Sequence, residues 1–347
     1  MEISLCMIVK DEETVLKRCL DGICDCVDEL ILVDTGSTDR TKEIAKAYRS
    51  RLFEIPWQDD FAAARNFSFS QATKDYILWL DADDFIDREA RSQWTALKEV
   101  LDREQPDVVF CPYDVGELTF RRERLIRRCE HAHWSGRVHE CIAPFGKTTF
   151  YPFHVRHLSS EKDRGMRNLH IYQKWAAQEP LSPRDLFYYG RELYYHKLYL
   201  EAIAVLKQAI AQNGWYVNQI EACKILSHCY LARGDCASAL MSLFESFRFA
   251  EPRASVLCEI GHMFRRNKQF SEAIFWYESA MRCRDHSEEG DFEEPLCRTL
   301  APMLGQIESY YALGDVKTAF LIHEQTEAQF PDHPSVRYNR QFFRQSD

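Results

Sequence analysis

The chain has 347 residues, enough for about two domains, and its 46% apolar and 13% aromatic content supports packed cores, which excludes a disordered protein. Its 44 basic and 54 acidic residues leave a formal charge of −10, which argues against a general nucleic-acid or anionic-membrane binder. Thirteen cysteines lie scattered through apolar segments (Cys6, Cys223, Cys258) with no Cys-x-x-Cys pair, and Cys24 and Cys26 have poor zinc spacing, so reduced thiols are expected. No apolar run approaches the ~20 residues of a membrane span, and the N-terminus opens directly into an apolar stretch without a basic region. A cytoplasmic protein with no membrane partner is the expectation.

Ile3 to Val9 reads as a first buried strand, closed by Lys10-Asp11-Glu12 and followed by apolar residues at helical spacing from Val15 to Ile23. Glu29 to Val33 is a second strand. It ends in Asp34-Thr35-Gly36-Ser37-Thr38-Asp39, a turn with a carboxylate at the strand tip, a glycine for a tight path, and Ser, Thr and Asp to cap the next helix. Leu52 to Ile55 is a short third strand, and Asp60-Phe61-Ala62-Ala63-Ala64-Arg65-Asn66 opens another helix.

Tyr76-Ile77-Leu78-Trp79-Leu80 has the continuous apolar character of a strand buried on both faces, and it runs into Asp81-Ala82-Asp83-Asp84. The alternating β and α segments predict a mostly parallel sheet with right-handed crossovers. Ligands collect at the carboxyl ends of such strands, where Asp34 and Asp81 would both sit. Asp81 and Asp83 can turn toward one hard cation, Mg²⁺ or Mn²⁺, that also takes phosphate oxygens. The absence of G-x-G-x-x-G and of G-x-x-x-x-G-K-[ST] counts against a dinucleotide enzyme and a P-loop NTPase.

Met7-Ile8-Val9-Lys10-Asp11-Glu12, Val33 to Asp39, Asp60 to Asn66 and Leu80-Asp81-Ala82-Asp83 together resemble the family-2 glycosyltransferases of GT-A fold, in order and in spacing. The resemblance covers roughly residues 1–160 and implies a UDP-sugar donor and a divalent cation. By it, Asp34, within the Thr35, Ser37 and Asp39 turn, would contact the nucleoside. Asp81, Ala82 and Asp83 would meet the metal and diphosphate, and Arg65 and Asn66 would lie on the donor side of the pocket.

Arg88 to Glu104 is expected to be helical, with Trp94, Leu97 and Leu101 as core, and Asp107 to Phe110 to be a further strand. The basic run Arg121 to Arg128 alternates too little for a clean strand and reads as a solvated β-ribbon, or as a source of one arginine facing phosphate. His133-Trp134-Ser135-Gly136-Arg137-Val138-His139-Glu140 contains Trp-x-Gly-x-Val-His-Glu, which resembles a stretch of the bacteriocin-peptide (sublancin-type) S-glycosyltransferases. An inverting transferase needs a base for the acceptor's proton, and Glu140 is the candidate, with His139 second. The alternative is that the two form a hydrogen-bonded pair that only shapes the pocket. Trp134 is expected at the donor site. The GT-A resemblance implies a histidine ligand to the metal from beyond the core sheet and favours His157, near Arg164, Arg167 and Asn168, with His154 as its rival.

From about residue 184 strand signals vanish and a repeat appears. Ala202, Ala239, Ala273 and Ala319 recur at intervals of 37, 34 and 46 residues, the last lengthened by the acidic insertion from Asp285 to Glu294. This resembles tetratricopeptide repeats, helix pairs in a right-handed superhelix that bind peptides or self-associate. Tyr188, Tyr189, Tyr194 and Tyr195 are a groove lining or repeat core.

The expected organisation is an α/β GT-A (Rossmann-like) domain over 1–165, a linker over 166–183 marked by Pro180 and Pro183, and all-α repeats over 184–347. The expected activity is metal-dependent inverting transfer of a sugar from a UDP-sugar to a Cys, Ser or Thr side chain of a peptide or protein. The repeats would hold this acceptor or make a homodimer. Transfer to a glycan or lipid-linked sugar, and a repeat scaffold with a degenerate transferase domain, are the alternatives.

Overall fold

The computed structural model describes residues 1–116, 118–158, 165–286 and 295–344. Arg164 and residues 287–294 of the acidic insertion lie outside them. The chain forms two compact units, Met1–Glu179 and Pro180–Asp347.

In the first unit β1 (Ile3–Val9) leads through α1 (Leu16–Ile23) to β2 (Glu29–Asp34), then through α2 (Thr41–Ala47) to β3 (Arg51–Glu54) and through α3 (Phe61–Ser70) to β4 (Tyr76–Trp79). A short β5 (Asp84–Phe85), α4 (Arg88–Ser92) and α5 (Trp94–Glu104) precede the hairpin of β6 (Val108–Val115) and β7 (Leu118–Arg127). The small pair β8 (Trp134–Ser135) and β9 (Cys141–Ile142), then β10 (Thr148–Phe150), β11 (Val155–His157) and α6 (Arg167–Ala176), complete it.

Nine strands join one sheet in the order β3-β2-β1-β4-β7-β6-β11-β5, with β10 also on β6. The first four strands are mutually parallel, as their crossover helices require. Both faces of this half are covered. Leu5 and Met7 of β1 pack into one apolar layer with Leu20 and Leu97, while Cys6 faces the other layer with Ile77, Trp79 and Trp134. That two-sided burial is why β1 and β4 read as unbroken apolar runs rather than alternating ones.

The basic run is corrected. β7 is not a solvated ribbon but an interior strand paired antiparallel with both β4 and β6. Its register against β6 slips where Val109 faces Leu125 and Phe110 faces Glu123, so Arg124 is the extra residue of a bulge. A bulge re-aims side chains, and here Glu123, Arg124, Leu125 and Ile126 are all buried in succession. The alternation that would have announced a strand is thereby erased.

The expected linker over 166–183 is also corrected. It contains α6, whose Leu169, Ile171 and Tyr172 are buried in the first unit, and the division between units falls at Glu179 and Pro180. Apolar residues at helical spacing carry the first unit through α6 up to the prolines, and Pro180 opens the second unit.

The second unit is all helical: α7 (Pro183–Tyr195), α8 (Tyr199–Ala211), α9 (Tyr216–Ala232), α10 (Cys236–Glu245), α11 (Ala254–Arg266), α12 (Phe270–Met281), α13 (Leu300–Ala312), α14 (Val316–Gln329) and α15 (Pro334–Arg344). The repeat has a backbone cause. Lys197, Gly234, Lys268 and Gly314 take left-handed φ values of 60°, 81°, 60° and 86°. Each lies five residues before Ala202, Ala239, Ala273 or Ala319, and all four alanines are fully buried. The left-handed residue turns the chain sharply and the methyl-sized side chain lets the returning helix pack closely. Tyr188, Tyr189 and Tyr194 are half-buried and only Tyr195 is well exposed, at 62%.

Candidate active site

The strand-end loops that carry the second motif are laced together by it. Ser37 Oγ accepts from the Asp11 amide at 2.9 Å, and Asp39 accepts from the Glu13 amide at 3.0 Å and from its own helix start at Thr41. The Asp34 carboxylate is 1% exposed, and its Oδ1 accepts from the Gly36 and Ser37 amides at 2.9 and 2.8 Å. Asp34, Ser37 and Asp39 therefore organise the loops and do not line the cleft. Thr35, between them, does line it.

At the carboxyl end of β4 a cleft of about 660 Å³ opens. Of the residues singled out from the sequence, Thr35, Arg65, Asp81, Ala82, Asp83, His139, Glu140 and His157 wall it, and so do Arg167 and Asn168. Asn66 and Trp134 do not. Trp134 is 1% exposed, edge-on to Trp79 at 4.9 Å, and Asn66 bonds both its carbonyl and its amide at 2.9 and 2.8 Å. Their role is to fix the loop that follows Trp134. A tryptophan inside an apolar layer has more to gain from burial than from a ligand face.

That loop presents Glu140. The β8–β9 hairpin spans Gly136 and His139, both with left-handed φ, and the Phe61 amide bonds the Arg137 carbonyl at 2.9 Å. The Tyr172 hydroxyl of α6 donates to the Val138 carbonyl at 3.2 Å, so the segment expected as a linker buttresses the site.

Arg65 joins the two halves. Asp60 caps α3 by accepting from the Ala63 amide, and buried Ala62 and Ala64 allow α3 close to the sheet. The Arg65 guanidinium then reaches Asp81 Oδ1 at 2.7 Å through Nη2 and Glu140 Oε1 at 2.6 Å through Nε. It lies 5.0 Å from the Trp79 ring and 4.9 Å from the Trp134 ring, so its flat faces are covered by aromatics and its edge by carboxylates. Burial pushes the Asp81 carboxyl up, but Arg65 and then Arg124 outweigh it and hold the carboxyl below its ordinary range. Glu140 is thus paired with Arg65 and not with His139.

The third group is Asp83, Asp84 and His157, whose ligand atoms lie within 4.8 Å of one another. β11 pairs antiparallel with β5 and sets His157 opposite Asp84. His157 Nδ1 is 3.6 Å from both Asp83 Oδ1 and Asp84 Oδ1. Interaction with Asp84, then the charge of Asp83 and Asp84, raises the imidazole pKa against the opposing effect of burial. Burial raises the Asp83 carboxyl, and neighbouring Asp81 and Asp84 add to this against His157. Asp84 is fully buried and held by Arg124 at 3.0 Å, by the Tyr113 hydroxyl at 3.0 Å and by the Asp81 amide at 3.0 Å. Its carboxylate is an anchor for the loop. Carboxylate oxygens with one imidazole nitrogen suit Mg²⁺ or Mn²⁺. The side-chain atoms gathered within reach of one ion are those of Asp83, Asp84 and His157, of which Asp84 is already engaged by Arg124. His154 is elsewhere, bonded to Asp114 at 2.9 Å and 45% exposed.

Sequence reasoning missed Asp84 as an anchor, and missed Tyr113, Trp57 and Phe120 as cleft residues; from the basic run it offered one unspecified arginine to phosphate, and Arg122 lines the cleft. Asp84 had a signal in the third carboxylate of its run. The others come from strands and loops whose convergence only the fold creates.

Residues 4–166 match the family model for glycosyl transferase family 2. That match spans most of the N-terminal unit, Met1–Glu179. A TPR repeat-containing protein of Synechococcus elongatus is 36% identical over 202 residues, 52% of this chain and 49% of that protein. The SPbeta prophage-derived glycosyltransferase SunS of Bacillus subtilis is 31% identical over 222 residues, 59% of this chain and 52% of that protein. A lipopolysaccharide core biosynthesis glycosyltransferase of Rhizobium meliloti, LpsC, is 26% identical over 220 residues, 57% of this chain and 81% of that protein. The chain spans about half the length of the first two. Among the described residues no helix is long and apolar enough to cross a membrane.

Proposed function

We propose that the protein is a cation-dependent, inverting glycosyltransferase that takes its sugar from a UDP-sugar and places it on a Cys, Ser or Thr side chain of a peptide or protein. The observation that carries this reading is the Arg65 bridge. In the unit that matches the family 2 model, one buried guanidinium holds Asp81, at the carboxyl end of β4, and Glu140, on a separate loop, against the same cleft.

Asp83, His157 and the open oxygen of Asp81 would hold Mg²⁺ or Mn²⁺, which when bound supplies positive charge against the donor diphosphate. Thr35 and the ends of β1 and β2 offer the nucleoside its place. Arg65 keeps Asp81 ionised and aimed, and fixes Glu140 through Oε1 so that Oε2 is the atom to take the acceptor's proton. A thiol acceptor, with an ordinary pKa of ~8.5, needs less of that help than a hydroxyl. The likeness of the Trp134 to Glu140 stretch to the sublancin-type enzymes supports a peptide acceptor. The helical unit is assigned the task of holding that acceptor or of self-association.

Calorimetry with UDP in the presence and absence of Mn²⁺ tests the donor half. Binding should need the cation and should be lost in the Asp81→Ala, Asp83→Ala double variant; no binding, or binding unchanged in that variant, would favour a degenerate scaffold. A hydrolysis screen with UDP-, GDP- and TDP-sugars identifies the donor. The similarity to LpsC favours a second acceptor class, a glycan. Mass spectrometry of products from parallel peptide and oligosaccharide mixtures separates the two.

A further inference from the structure

We infer that Arg122 grips the outer phosphate of the nucleoside diphosphate and steadies it as the leaving group; this rests on the donor reading above. Strand ends follow one another across the sheet as β2, β1, β4 and β7, about 4.8 Å apart. Thr35 follows β2, Lys10 follows β1 and Asp81 follows β4, so a donor laid along this row brings its phosphates to the β4 and β7 end.

β4 pairs antiparallel with β7 as Tyr76 with Arg127, Ile77 with Ile126 and Leu78 with Leu125. Beyond Leu78 and Leu125 the strand bulges at Arg124, and Arg122 follows it as a residue of the cleft wall that also includes Asp81. Two contacts agree: the Arg122 guanidinium lies 5.1 Å from the Trp79 ring, and its charge is among those that lower Asp81.

Three guanidiniums surround Trp79, and they are not equivalent. Arg65 is engaged by Asp81 and Glu140. Arg124 has no exposed surface and is engaged by Asp84. Arg122 lines the cleft with its side chain 31% exposed, and its carboxylate contact is a loose one, 3.4 Å to its chain neighbour Glu123. Its Nε is buried without a hydrogen-bond partner. A planar guanidinium with donors open toward the cleft matches phosphate oxygens in a two-point contact, which a lysine cannot reproduce.

In the transfer, the bond between the anomeric carbon and the outer phosphate oxygen breaks and its electron pair stays on that oxygen. The acceptor atom bonds to the carbon, and its proton passes to Glu140. The outer phosphate thus gains a negative charge beside Arg122, where a fixed cation is most effective.

The test is calorimetry on the full chain with Mn²⁺, comparing UDP with UMP for wild type, Arg122→Gln and Arg122→Lys. Arg122→Gln should lose about tenfold to hundredfold in UDP affinity with UMP affinity changed less than about threefold, and Arg122→Lys should fall between. Melting curves matching wild type establish that the variants are folded, and Arg122→Lys keeps the comparison open should the glutamine variant not fold. Equal loss for UDP and UMP, or no loss for either, overturns the inference. Failure of the wild type to bind any nucleoside diphosphate instead overturns the donor reading on which it stands.

Discussion

Replacing Arg65 with methionine keeps most of the side-chain volume between Trp79 and Trp134 but removes both ion pairs. Arg65 is 7% exposed, and its partners differ: the Glu140 side chain is 12% exposed and the Asp81 side chain 35%. Breaking one partner from a buried pair costs about 3–5 kcal/mol because a charge is left behind. Asp81, about a third open, can recover water, so its share is small and the cost should sit near the lower end, about 3 kcal/mol. For a unit of this size each kcal/mol moves the melting point by about 2–4 °C, which predicts a loss of roughly 6–12 °C at pH 7.5.

The pH dependence gives the sign. Asp81 is held below its ordinary pKa of 3.8, so its contribution is present above that value and disappears as pH falls through the lowered one. The gap between wild type and Arg65→Met should therefore be full at neutral pH and close below about pH 4. Differential scanning calorimetry across this range checks it. A melting point within 2 °C of wild type at pH 7.5, or a gap that does not vary with pH, would refute the ion-pair account. Asp81→Asn placed in the Arg65→Met background should recover part of the loss by removing one of the stranded charges.

Asn66→Ala removes both hydrogen bonds to the Trp134 backbone and should lower transfer rate through a loosened Glu140 loop while leaving UDP affinity within about threefold; steady-state kinetics beside calorimetry reads both. Gly305→Ala brings a methyl within 2.3 Å of the Tyr277 ring, and overpacking of this kind costs about 1–3 kcal/mol, visible as a lower urea midpoint of the helical unit. The hydrogen bond that His228 donates to Glu259, 2.9 Å away, leads the causes that raise the imidazole above its ordinary pKa of 6.5, against burial. That stabilisation is complete below pH 6.5 and fades as pH climbs through the raised value, so the helical unit should melt lower at pH 8.5 than at pH 6, and His228→Gln should flatten this slope in thermal melts. A chain ending at Glu179 should keep cation-dependent UDP binding and lose transfer to peptide; full-rate transfer by that folded truncation would remove the acceptor role from the repeats.

What was legible in the sequence was whatever a local pattern produces alone. β1 and β4 are apolar because both faces are covered, and Asp81 follows β4 because a strand buried to its last residue must surface there. The four turns of the helical unit were legible for the same reason, since a left-handed residue and a methyl five positions on are a local requirement. The family resemblance rested on the same stretches and put Asp34, Arg65, Asn66, Asp81 and Asp83 at the donor; Arg65, Asp81 and Asp83 wall the cleft, while Asp34 and Asn66 turn to backbone groups. In the turn after β2 the Asp34 carboxylate sits two and three residues before amide groups that need acceptors, and it turns to them. Its neighbour Thr35 is left at the wall.

Non-local pairing accounts for the rest. Arg124 is a charged residue in a run of eight with five arginines, and such a run in isolation belongs in water. It is fully buried because Asp84, forty positions earlier in the chain, needs a partner beneath the acidic loop, and because a bulge turns the strand to supply one. The two requirements answer each other: a buried carboxylate without a cation, or a buried guanidinium without a carboxylate, would be unstable alone. The consequence reaches the surface. By holding Asp84 from below, Arg124 fixes the turn that presents Asp81 and Asp83, and by occupying the bulge it sends Arg122, two residues earlier, to the cleft side of the strand. The same short run thus contributes the foundation of the acidic loop and a cation facing it, and neither role can be assigned to either arginine before the strand has partners.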